Sequence, residues 1–159
     1  MIRSPDSRPV VLRTGLILLA TFNTIVGVWL LVSPDSFFRN FPGLGMHWVS
    51  VFPPYNEHAL TDFGGALLGV TAVVWIAALV LERRLVQVAL VAQLVQAVPH
   101  FVYHLAHLEA LPTDEAIASQ VTLAMPVVVP LLLLWLTRQE WDRETDPRAE
   151  ARRADSNSS

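Results

Sequence analysis

Residues 99–109, PHFVYHLAHLE, hold three of the five histidines in this chain, His100, His104 and His107, spaced to share one stripe of an α-helix. Gln93 and Gln96 extend that stripe backwards, so a polar seam runs along an otherwise apolar segment. A second stripe is formed by His58, Asp62, Gly65 and Gly69 at i, i+4, i+7 and i+11, with Glu57 beside it. Two imidazoles at i and i+4 can share one metal ion, and imidazole combined with carboxylate suits a transition metal such as zinc, iron or copper. Imidazoles on opposite faces of a porphyrin would instead hold haem b, for example His58 against a histidine of the other stripe. Ionisable groups within a membrane-spanning helix are energetically costly and mark function by default.

That argument needs membrane-spanning helices, and the composition provides them. Of the 159 residues, 53% are hydrophobic and only 16% charged, and the charges are absent from long blocks. Uncharged apolar runs of about 20 residues are what a helix needs to cross a hydrocarbon layer roughly 30 Å thick. Four such spans are expected, at about 10–32, 60–81, 85–108 and 117–137. The fold class is therefore all-α, an integral membrane four-helix up-down bundle in one domain, with a charged, partly disordered tail over 138–159. With no cysteine, disulfides, thiolate metal sites and cysteine redox chemistry are excluded. A net charge of −3 gives no basis for nucleic-acid binding.

Local signals place the boundaries. Residues 1–9 are polar, and the first apolar core is too long for a secretory leader and lacks a small-residue cleavage site. Within it, Asn23 and Gly27 offer a small, polar face to a neighbouring helix. The connection 33–59 is long, and its Phe37, Phe38, Phe41, Trp48, Phe52 and Tyr55 fit an aromatic belt at the membrane–water boundary. Gly64, Gly65 and Gly69 in the second span form a small-residue pattern that admits a partner backbone, assigned to the Gly65/Gly69 stripe. Glu82-Arg83-Arg84 leaves room only for a tight turn. Pro99 lies inside the third span, and Pro126 and Pro130 lie inside the fourth.

Arginine placement sets the orientation. Ten of the eleven arginines fall in the N-terminal segment, the turn at 82–84 and the tail, whereas the long connection holds only Arg39. By the positive-inside rule both termini are cytoplasmic, and the long loop between the first two spans is extracytoplasmic. Reflecting the second and third spans about their turn sets His58 level with His107, Asp62 level with Tyr103 and His104, and Gly65 level with His100. If the two seams face each other, Glu57, His58, Asp62, His100, His104 and His107 form a metal site, with Gln93, Gln96 and Tyr103 available to a cofactor.

Two classes of function are consistent with this pattern. One is a metal- or haem-dependent, redox-linked activity at the extracytoplasmic ends of the second and third spans. The other is a non-enzymatic membrane subunit binding a quinone, a lipid or a partner protein, or a small transporter. Catalysis itself is not decided by the residues. The four short spans, the long first connection and the segment DFGGALLG (62–69) resemble the small bacterial four-helix membrane proteins grouped as DoxX-like. The resemblance covers residues 10–137 and implies a multi-pass protein of the bacterial inner membrane, associated with quinone-linked redox complexes. The YNEH (55–58) and HFVYHLAH (100–107) segments lie outside that pattern, so the histidine site is not implied by it.

Overall fold

The computed structural model describes residues 8–52 and 54–144, except for the side chains of Arg8 and of residues 139–144. The tail expected to be disordered lies outside the described residues from residue 145 onward. Five α-helices account for most of the described chain: α1 (Arg8–Val32), α2 (Pro34–Asn40), α3 (Glu57–Val80), α4 (Arg83–Leu105) and α5 (Thr113–Glu144). Four of them, α1, α3, α4 and α5, are long and apolar enough to cross a membrane. Large apolar side chains, such as Leu18, Ile25, Leu79, Val95, Val121 and Trp135, are exposed on their outer faces.

The helix ends follow from local chemistry. The Asn56 side chain accepts a hydrogen bond from the Ala59 amide at 3.1 Å and so starts α3. At its other end α3 stops on Leu81, which is left-handed at φ 53°. Glu82 then caps α4, accepting from the amides of Arg84 (3.0 Å) and Leu85 (2.8 Å). These two bonds hold the Glu82 carboxyl below the usual carboxylate range. Helix α4 ends at Leu105, three residues before the expected limit. There, i→i+3 bonds from Ala106 to Tyr103 and from His107 to His104 tighten the last turn, and a 3₁₀ turn at Leu108–Ala110 follows.

Two clusters make the core. In one, Leu16, Leu19 and Ala20 of α1 meet Val74, Ala77 and Ala78 of α3, Val86, Ala89 and Leu90 of α4, and Leu133 of α5. In the other, Leu30, Phe37 and Leu67 gather Trp29, Phe41, Val49, Leu60 and Phe63. The principal helix pairs are α1 with α3 and α4 with α5. The helices are joined by close packing and by an interhelical hydrogen bond from Asn23 Nδ2 to Gln93 Oε1. A Cβ built on Gly64 would stand 2.8 Å from Leu30 Cβ and 3.2 Å from the Gly27 carbonyl oxygen, so only glycine permits this approach of α3 to α1. The expected use of Gly65 and Gly69 is corrected: nothing lies within 4 Å of a Cβ at either. One residue is 100° of helix rotation, so seating Gly64 on α1 turns the Gly65 stripe outward.

The connection between α1 and α3 folds back on the bundle. Pro42–Gly43 pairs antiparallel with Met46–His47 in a minimal hairpin, and Leu44 and Gly45 turn it with φ of 59° and 81°. The Trp48 amide donates to the Phe41 carbonyl at 2.9 Å. Phe37 and Trp48 are consequently buried, joined edge-on or tilted with Trp29 and Phe41. The expected aromatic belt is in part an aromatic cluster inside the fold.

Candidate functional site

The α4 seam opens on a cavity of about 290 Å³ to which all four long helices and the α1–α3 connection contribute. From α4 come Gln96, Ala97, His100, Tyr103 and His104, and from α3 Leu60, Phe63 and Leu67. Helix α1 adds Phe22, Asn23 and Val26, and α5 adds Ser119, Thr122, Leu123 and Pro126. Phe37, Phe41, Trp48, Val49 and Phe52 close the remaining wall. No Asp, Glu, Lys or Arg is among these residues, so the cavity is apolar with a few uncharged hydrogen-bonding groups and two imidazoles. Its size lies at the lower end of small-molecule sites.

Aromatic contacts fix the imidazoles. His100 stacks on Phe63 with ring centroids 5.7 Å apart and an interplanar angle of 25°. His104 meets Phe52 edge-on at 5.0 Å, and the two histidine rings are 4.7 Å apart. Neither imidazole makes a hydrogen bond to another described residue, which leaves their nitrogens to whatever occupies the cavity. Tyr103 lies beside them, 5.7 Å from His104, and stacks on His107 at 4.3 Å.

Not every residue expected at the site is there. Gln93 is fully buried, and its Oε1 accepts from Asn23 Nδ2 at 2.8 Å, so this amide joins α4 to α1. His107 has left the helix, and its Nδ1 donates to the Tyr103 carbonyl oxygen at 2.7 Å, capping the end of α4. His58 and Asp62 pair with each other at 3.3 Å, with side chains 86% and 67% exposed, and neither lines the cavity. Glu57 is exposed in the first turn of α3. Among the described residues no group of three or more His, Cys, Asp or Glu side chains converges to hold a metal ion.

The reason is the helix rotation set by Gly64: it directs Phe63, not Asp62, at His100. The arrangement also disagrees with bis-histidine haem b. His100 and His104 project from the same face of one helix, and His58, the histidine that would have to approach from the other side, is turned outward.

Sequence reasoning missed the contributions of α5 and the α1–α3 connection. Ser119, Thr122 and Pro126 at i, i+3 and i+7 share one helical face, a signal present in the sequence. Trp48 offered none, because its place depends on the hairpin that folds the connection inward. No family model, curated protein or solved structure matches this chain.

Proposed function

We propose that this is a multi-pass protein of a cell membrane that binds a small, uncharged, hydrophobic ligand in the cavity between its four spans. The observation that supports this reading is the composition of the cavity wall: aromatic and aliphatic on all sides, free of charged residues, with His100, His104 and Gln96 along one edge. A ligand that partitions into the bilayer would find there an apolar surface and a few groups that fix its orientation. Binding by a non-enzymatic subunit or carrier accounts for every lining residue. The spans are taken to alternate in direction, since the N-terminal halves of α1 and α4 meet the C-terminal halves of α3 and α5 in one core cluster, as an up-down bundle requires. Arginine placement then sets both termini in the cytoplasm and the α1–α3 connection outside.

The test is calorimetric titration of 2-methyl-1,4-naphthoquinone into purified protein in nanodiscs, with empty nanodiscs as the control. Saturable one-to-one binding is expected, weakened at least tenfold by Ala97→Leu, which fills the cavity from a residue that is 3% exposed. Binding indistinguishable from empty nanodiscs would refute the reading.

A second reading is favoured by one distance. The 4.7 Å between the His100 and His104 rings allows both to ligate one transition metal, with non-protein ligands completing the shell. Metal analysis of the purified protein against His104→Ala separates the two: a stoichiometric metal lost in the variant supports the metal, and equal trace contents remove it.

A further inference from the structure

Two imidazoles hold the unused hydrogen-bonding groups that a molecule in the cavity can reach. His100 and His104 both line the cavity, their rings 4.7 Å apart and in contact with Phe63 and Phe52, which line it as well. Neither ring hydrogen-bonds to another described residue. Trp48 Nε1 and Gln93 Nε2 are sealed inside the protein, whereas no nitrogen of either imidazole is among the buried, unpartnered atoms. The two rings therefore keep accessible nitrogens. A neutral imidazole carries one N–H donor and one acceptor nitrogen, so the pair presents two of each. In an apolar enclosure a donor or acceptor without a partner is costly, and a group that displaces water from it without reproducing the lost bonds weakens binding. A hydrocarbon does neither, an ether or a carbonyl only accepts, and a hydroxyl both donates and accepts.

We infer that the ligand is a neutral phenol whose hydroxyl lies between His100 and His104, donating to a ring nitrogen of one and accepting from the N–H of the other. This rests on the cavity being a ligand site and adds the class of ligand. With no charged residue in the lining, a carboxylate, phosphate or ammonium group would be left without a counter-charge. The contribution of α3, Leu60, Phe63 and Leu67, is wholly apolar and suits the body of such a molecule. Phe63 and Phe52 stand against the two imidazoles, so a flat ring can pack where its hydroxyl bonds.

The experiment titrates 2-naphthol, 2-methoxynaphthalene and 2-methylnaphthalene into protein in nanodiscs at about pH 7.5, where an imidazole is neutral. The probes share one bicyclic frame, and their substituents respectively donate and accept, accept only, and do neither. Wild-type protein is compared with the double variant His100→Phe, His104→Phe, which keeps an aromatic ring at each position and removes the nitrogens. The variant is expected to weaken 2-naphthol about tenfold, 2-methoxynaphthalene by about threefold at most, and 2-methylnaphthalene not at all, as loss of neutral hydrogen bonds requires. Equal losses for 2-naphthol and 2-methoxynaphthalene, or no loss for 2-naphthol, overturn the inference while the ligand site stands. The same holds if 2-naphthol fails to bind wild-type protein saturably and 2-methyl-1,4-naphthoquinone binds; if neither binds, the ligand site falls with the inference. A readout on the wild-type protein does not depend on the variant folding. With ¹⁵N in the imidazoles of the five histidines, saturating 2-naphthol should move the acceptor nitrogen of His100 or His104 upfield by more than 2-methylnaphthalene does. Equal shifts with the two probes overturn the inference as well.

Discussion

Replacing Gly64 with alanine tests the contact on which the orientation of α3 depends. The added Cβ would stand 2.8 Å from Leu30 Cβ and 3.2 Å from the Gly27 carbonyl oxygen, where ordinary contact begins at 3.4 Å. Neither neighbour can rotate away, since one is the first side-chain atom of a helical residue and the other is backbone. The two helices must therefore move apart, and overpacking of this kind costs about 1–3 kcal/mol. Gly65→Ala is the matched control: nothing lies within 4 Å, and removing a helical glycine gains up to about 1 kcal/mol. Thermal unfolding in detergent, followed by tryptophan fluorescence, should show Gly64→Ala lowered by roughly 2–10 °C and Gly65→Ala unchanged or raised. Gly27→Ala should fall between them, because its nearest neighbours are Leu68 side-chain atoms that can turn aside. Since α1 and α3 both line the cavity, Gly64→Ala should also weaken ligand binding. Equal melting temperatures for the Gly64 and Gly65 variants would refute the assignment of Gly64 to the interface, and with it the outward turn of His58 and Asp62.

Further expectations concern the polar groups. Asn23→Leu leaves the Gln93 amide buried without its partner and should cost about 1–3 kcal/mol, whereas Asn23→Leu with Gln93→Leu should recover much of it; additive losses in a double-mutant cycle would deny the bond. Glu82 has a lowered carboxyl pKa, so its contribution to stability is complete above the ordinary value near 4.3 and is lost as pH falls through the lowered one. Acid unfolding of Glu82→Gln should lack that component, and identical acid profiles would count against the cap. Diethyl pyrocarbonate, read by mass spectrometry, should modify His58 well before His100; the reverse order would contradict their exposures. Because the chain has no cysteine, Leu44→Cys at the 97% exposed hairpin tip can be labelled alone. An impermeant maleimide should reach it from outside intact cells, and labelling only after lysis would reverse the proposed orientation.

The four long helices could be read from the sequence because crossing a membrane imposes a minimum apolar length, a property of each segment by itself. That His100 and His104 share one face of α4 was legible for a similar reason, since helical spacing belongs to the segment alone. Asn23 was recognisable as a polar group facing a neighbouring helix by the same logic, although its partner, Gln93, was expected at a cofactor instead. Which face of α3 meets a neighbour was not readable. GGALLG offers two adjacent glycines to a partner backbone, and Leu30 selects Gly64, a choice of 100° that separates His58 and Asp62 from the α4 histidines.

Composition and periodicity, then, determined the number of spans, the polar seam of α4 and the exclusion of thiol chemistry. Tertiary structure alone decided that the seam opens on an apolar cavity shared by four helices and walled by Trp48. The physical reason is that length and amphipathic pattern belong to single segments, whereas a cavity exists only where several segments fail to fill the space between them.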